Sequence, residues 1–172
     1  EQTFFSPAAT ETLTEMTPAN KELITNTYLN AVRYSADDFL KQLLATLNLD
    51  QQIIFYTSDH GQSLFATEHT ELTHCHYADD PSTLPLGEFK VPLLVFTKDA
   101  KQMFPKLEDR VYSQEALFPT TLKLLGYDAK VYATYGATLW QGSKTEQVQS
   151  FVLDSGLKIN IPKSALQPER AP

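Results

Sequence analysis

An α/β fold, with helices flanking a mostly parallel sheet, is the class this sequence predicts, and three observations predict it. A long stretch with apolar residues at helical spacing runs into a short β-branched and aromatic segment. A second segment of that kind follows after about thirty residues without a regular pattern. A further helical stretch, closed by a glycine, comes next, so helix and strand patterns alternate as they do in layered α/β domains.

Each element rests on its own pattern. Residues 1–20 mix Pro7, Pro18 and many Thr and Ala residues around Phe4-Phe5 and sustain no period, which predicts a loop with one short helical turn. From Asn20, a candidate cap, to Leu47, the positions Ile24, Tyr28, Val32, Phe39, Leu43 and Leu47 share one face, widened by Leu40 and Leu44. No Gly or Pro interrupts that stretch, so it predicts one amphipathic helix. Ile53-Ile54-Phe55-Tyr56-Thr57 is too short for a helix and reads as a buried strand, and Val91 to Thr97 supplies a second. Ser113 to Leu125, with Leu117, Thr121, Leu124 and Leu125 on one face, predicts a helix stopped by Gly126. Gln149 to Leu153 and Leu157 to Ile161 predict two short strands joined by an Asp154-Ser155-Gly156 hairpin turn, a small antiparallel finish. Residues 1–162 are expected to form one portion of a domain, and 163–172 a frayed tail.

Composition narrows the function classes. With 172 residues, 42% hydrophobic and 20% charged, the chain is long and apolar enough to bury a core and unlike a disordered one. A formal net charge of −7 offers no basic field for a phosphate backbone, so no nucleic-acid partner is expected. No apolar run approaches the roughly 18 residues that span a bilayer. The sequence starts at Glu1 with neither an initiator Met nor a leader, which predicts a mature form or an excised fragment. The single cysteine, Cys75, excludes an internal disulfide.

Chemistry concentrates where the first strand ends. Ligands of open α/β sheets bind outside the carboxyl ends of strands, and there the sequence reads Asp59-His60-Gly61. A carboxylate beside an imidazole can give one oxygen and one nitrogen to a divalent cation, while Gly61 lets the backbone turn sharply away. By spacing alone, a turn in which Asp59 acts as a cap stays open as well. The patternless loop that follows carries His69, His74, His76, Asp79 and Asp80, and loops of that length in compact domains tend to be functional.

Thr57-Ser58-Asp59-His60-Gly61-Gln62-Ser63-Leu64 resembles the Ser-Asp-His-Gly-Glu-Ser-Leu segment of lipid phosphoethanolamine transferases, members of the sulfatase branch of the alkaline phosphatase superfamily. Glu22 to Leu40 is similar to the helix before that segment, Lys90 to Phe96 to its Val-Pro strand, and Ser113 to Leu122 to the helix that follows, so ordered matches run from about Phe5 to Leu125. The resemblance implies an alkaline-phosphatase-like fold present as its carboxy-terminal part. It implies that Asp59 and His60 ligate zinc, with manganese as the alternative metal, at a site that also holds a threonine nucleophile. A further family histidine, which acts at a second metal or on phosphoryl oxygens, has its nearest counterpart in Thr73-His74-Cys75. His74 is therefore assigned as a metal ligand and its rival His76 to substrate binding, while His69 has no motif partner.

Nothing in the chain resembles the family's nucleophile segment or its early acidic ligand. The expectation is an inactive, soluble carboxy-terminal fragment whose partner is the missing amino-terminal half of the same protein. The parent would sit at the periplasmic face of the bacterial inner membrane, touching the membrane through the missing segment. It would move phosphoethanolamine from a phospholipid donor to an envelope glycolipid or glycan acceptor. Two departures stand out: Gln62 replaces the family's glutamate, and Ala9 and Met16 occupy the places of a cysteine pair that many relatives have. A sulfatase or phosphodiester hydrolase, and a non-catalytic envelope-binding protein that retains the fold, are the alternatives.

Overall fold

The computed structural model describes residues 4–8, 17–64, 86–107, 111–141, 148–152 and 158–162 of a chain that divides into two units, Glu1–Lys98 and Asp99–Pro172. In the first unit a 3-10 turn at Pro18–Asn20 leads into helix α1 (Lys21–Val32), a π-helical segment (Arg33–Asp37) and helix α2 (Asp38–Thr46). The predicted long helix is there, but in three parts. Within the π-helical segment Ser35 Oγ donates to the Ala31 carbonyl at 2.8 Å. Asn20 was the candidate cap, yet its side chain makes no capping bond, and Pro18 opens the first turn instead. The apolar face is covered unevenly. Ile24 is buried, whereas Val32, Tyr34 and Phe39 are exposed.

Residues 4–8 form the expected loop, held by helix side chains in a way the sequence did not reveal. The Asn30 side-chain oxygen accepts from the Phe4 and Phe5 amides, each at 3.0 Å, and its nitrogen donates to the Phe5 carbonyl at 2.9 Å. Asn26 Nδ2 donates to the Pro7 carbonyl at 2.9 Å, and the Arg33 guanidinium lies 3.8 Å from the centre of the Phe4 ring. Asn30→Ala removes three of these bonds and is expected to cost about 1–2 kcal/mol, less than their sum because the groups are solvent-accessible. Denaturant unfolding with amide exchange at Phe4 and Phe5 checks this; unchanged protection at both would contradict it.

Strand β1 (Ile54–Thr57) pairs with strand β2 (Leu93–Phe96), in register from Ile54↔Phe96 to Thr57↔Leu93. The pairing is antiparallel; a short apolar run signals burial and carries no sign of direction, and a two-stranded ribbon is too small to test the mostly parallel sheet expected of the domain. At the far end of the ribbon the Lys98 amide donates to the Leu49 carbonyl at 3.1 Å and Lys98 Nζ bonds Asp50 at 3.0 Å. No residue of β1 or β2 is fully buried.

The second unit holds helices α3 (Ala100–Met103), α4 (Leu117–Leu124) and α5 (Ala129–Tyr132), and strands β3 (Val148–Val152) and β4 (Lys158–Pro162). The predicted helix from Ser113 appears as a 3-10 turn, Gln114–Ala116, running into α4, with Ser113 Oγ accepting from the Glu115 amide. Gly126, at φ 83°, ends it as expected. Phe104, Ala116, Pro119, Thr120, Thr138 and Leu139 are buried, and Thr120 Oγ1 accepts from the Leu139 amide at 2.9 Å. Trp140 stacks on Phe104 at 4.9 Å, donates its indole N–H to the Met103 carbonyl and receives the Lys123 ammonium over its face at 4.3 Å. The predicted terminal hairpin strands pair antiparallel as β3 and β4, from Val148↔Pro162 to Val152↔Lys158. Their connecting turn and the tail 163–172 lie outside the described residues. Among the described residues no helix is long and apolar enough to cross a membrane.

Candidate functional site

The chain leaves β1 at Thr57 through Ser58-Asp59-His60-Gly61, and the turn orients its own donors. Asp59 Oδ1 accepts from the His60 amide at 3.0 Å and lies 3.3 Å from Ser58 Oγ, whose shorter contact, 2.7 Å, is to the His60 carbonyl. His60 Nδ1 lies 2.8 Å from the Gly61 carbonyl oxygen. A carbonyl can only accept, so in the neutral ring this contact places the proton on Nδ1 and leaves the lone pair on Nε2. Nε2 is 3.9 Å from Asp59 Oδ1, and the two side chains are 49% and 86% exposed. An oxygen and a nitrogen donor thus stand side by side at the carboxyl end of a strand.

The donor set suits a metal. Two ligands at about 2.0–2.1 Å from a tetrahedral zinc ion stand about 3.3–3.4 Å apart, so small side-chain rotations close the observed gap. Two donors are half a shell, and among the described residues no group of three or more His, Cys, Asp or Glu side chains converges. His74 and His76, together with His69 and Cys75, lie outside the described residues.

The hydrogen bond from the His60 amide, followed by the charge of the nearby imidazole, lowers the Asp59 carboxyl pKa below its ordinary value of 3.8. A depressed carboxyl pKa contributes stability that is complete above the ordinary value and is lost as pH falls through the lower, folded one. Asp59 is therefore an anion throughout the neutral range. A carbon-detected titration should place its midpoint below 3.8; a midpoint at or above that value would contradict the geometry.

Behind the exposed donors the turn is backed by a second segment. The Gly61 amide donates to the Glu88 carbonyl at 2.8 Å, and a Cβ at position 61 would overlap the Gly87 carbonyl oxygen. Gly61 does not occupy the positive-φ region, so close approach, and not an unusual turn, is what demands glycine here. Ser63 and Glu88, 1% and 4% exposed, are buried on the two segments. Gly87 and Glu88 were not among the residues the sequence pointed to; the signal there is a lone glycine next to a strand, a common mark of backbone crossing.

The family model for sulfatases matches residues 3–127, well over half of the chain. The chain is 30% identical over 119 residues to the Kdo(2)-lipid A phosphoethanolamine 7''-transferase of Salmonella typhimurium, a match covering 62% of this chain and 20% of that protein. It is 32% identical over 79 residues to the protein of the same name from Escherichia coli K12, covering 46% and 13%. The chain therefore spans about a fifth, or less, of the length of these relatives. No solved structure matches it significantly. The matched span contains β1, the donor turn and α4, and on that ground the chain belongs to the sulfatase family, with its α/β architecture.

Proposed function

We propose that this chain is the carboxy-terminal part of a metal-dependent transferase that moves phosphoethanolamine from a phospholipid to a cell-envelope glycolipid or glycan. The observation that carries the reading is the Asp59–His60 pair, an oxygen and a nitrogen 3.9 Å apart at a strand end, in a sulfatase-family chain similar to phosphoethanolamine transferases. A divalent cation, zinc or manganese by this donor set, would supply positive charge for the phosphoryl oxygens and lower the pKa of a hydroxyl nucleophile.

The residues divide the work by their chemistry. Asp59 offers a permanent negative charge, and His60 offers Nε2 while Nδ1–H on the Gly61 carbonyl keeps the ring in one tautomer. His74 we assign to a second metal or to the phosphoryl oxygens, and His76 to the substrate. The nucleophile, a threonine, belongs to the portion of the parent that precedes this chain. That portion also carries the membrane contact at the periplasmic face.

A hydrolase acting on sulfate or phosphate esters is the second reading, favoured by the family match itself. The two differ in their nucleophile and share the metal ligands, so the upstream residue separates them. Calorimetric titration of the 172-residue chain with Zn²⁺ tests the common core. Binding is expected in the parent sequence and lost in both Asp59→Ala and His60→Ala; binding that survives both substitutions would overturn the ligand assignment.

A further inference from the structure

We propose that the Gly87–Glu88 peptide is the positioning element of the Asp59–His60 pair, a role that rests on the metal-ligand reading of those two residues. The bonds described for Asp59 and His60 lie inside the turn, and both side chains face solvent. The turn is also held from behind. The Glu88 carbonyl accepts from the Gly61 amide at 2.8 Å, and the carbonyl of that same Gly61 receives His60 Nδ1 at 2.8 Å. Two consecutive bonds therefore run from the 87–88 backbone to the imidazole and hold its Nε2 lone pair beside Asp59 Oδ1.

The crossing is tight from both sides. A side chain at 61 would overlap the Gly87 oxygen, and a Cβ at 87 would stand 3.1 Å from the Gln62 oxygen, closer than ordinary contact. The base is also anchored. Glu88 and Ser63 are buried, and the 87–90 segment runs on toward Leu93, the register partner of Thr57, which is the last residue before the turn. Turn and strut are thus two arms of one ribbon, and a shift of a few tenths of an ångström at Gly87 reaches Gly61 without dissipating in a flexible loop. Groups that orient metal-ligating histidines from behind typically change metal affinity about 10- to 100-fold when altered.

Gly87→Ala in the 172-residue chain tests this. Long-range ¹H–¹⁵N spectra of metal-free protein, above the titration range of imidazole, should show His60 in the Nδ1–H tautomer in the unsubstituted chain and a tautomer mixture in the variant. Its Zn²⁺ dissociation constant should rise about 10-fold. Ile24→Val, which weakens the same unit at a buried helix position, should leave both readouts unchanged. An unsubstituted tautomer pattern and zinc constant in Gly87→Ala would overturn the proposal, as would an equal change in Ile24→Val. If the unsubstituted chain binds no Zn²⁺, the ligand reading fails, and the tautomer spectra alone decide whether Gly87 positions His60.

Discussion

On the proposed transferase reading, Asp59→Ala in the full-length parent is expected to lower phosphoethanolamine transfer about 10³-fold, with little change in folding. Removing the carboxylate takes a negative donor from the cation and leaves the imidazole as the remaining donor of the pair. Charge stabilisation by such a cation is worth several kcal/mol in the transition state, and each 1.4 kcal/mol is about tenfold in rate. Stability should hardly move, because the Asp59 side chain is 86% exposed and its bonds are to its own turn. His60→Ala should cost a similar factor, and the double variant little more than either alone, since one site is destroyed in each case. Asp59→Asn, which keeps an oxygen donor and loses the charge, should fall between. Transfer of a labelled headgroup from phospholipid to an isolated lipid A acceptor reads the rate, and thermal unfolding reads the fold. An Asp59→Ala protein that folds normally and keeps more than about a tenth of its activity would remove Asp59 from the reacting centre.

What could be read in advance follows from where the determining contacts lie along the chain. That Asp59 and His60 stand together at the end of a strand was legible because the bonds of the turn run between sequence neighbours, Ser58 to Gly61. The helical face through Ile24 and the runs that became β1 and β2 were legible because period and composition are local properties. The direction of the β1–β2 pair was not, since the same residues satisfy either. The π segment was not, since its residues, Arg33 to Asp37, carry no Gly, Pro or break in the apolar spacing. Helices α3 and α5, four residues each, are shorter than any window in which a period can be recognised. The role of Asn30 was not legible because its partners, Phe4 and Phe5, stand about 25 positions away. Gly87 and Glu88 escaped for the same reason: they meet Gly61 through the ribbon, and nothing within their own few residues names that partner.

Gly61→Ala is the second large effect, expected to destabilise the first unit by about 3 kcal/mol, near the upper end for forcing atoms into a filled space. The new methyl would meet the backbone oxygen of Gly87, which cannot rotate aside as a side-chain tip would, and at 3.2 Å the Lys90 carbonyl as well. Relief requires the turn and the strut to separate, which breaks the Gly61–Glu88 bond and exposes two buried backbone groups together with Ser63 and Glu88. Gly126→Ala isolates the other reason for a glycine. That residue sits at φ 83° with nothing within 4 Å of a Cβ, so its substitution costs only the left-handed strain, about 1 kcal/mol. Urea unfolding of the two variants should rank Gly61→Ala well above Gly126→Ala, and the amide at position 61 should lose its exchange protection in the former. Equal costs, or a protected amide at 61, would mean that the segments part without penalty. The donor pair would then have no rigid base behind it, because the same crossing that excludes a methyl at 61 is what holds the carbonyl facing His60 Nδ1.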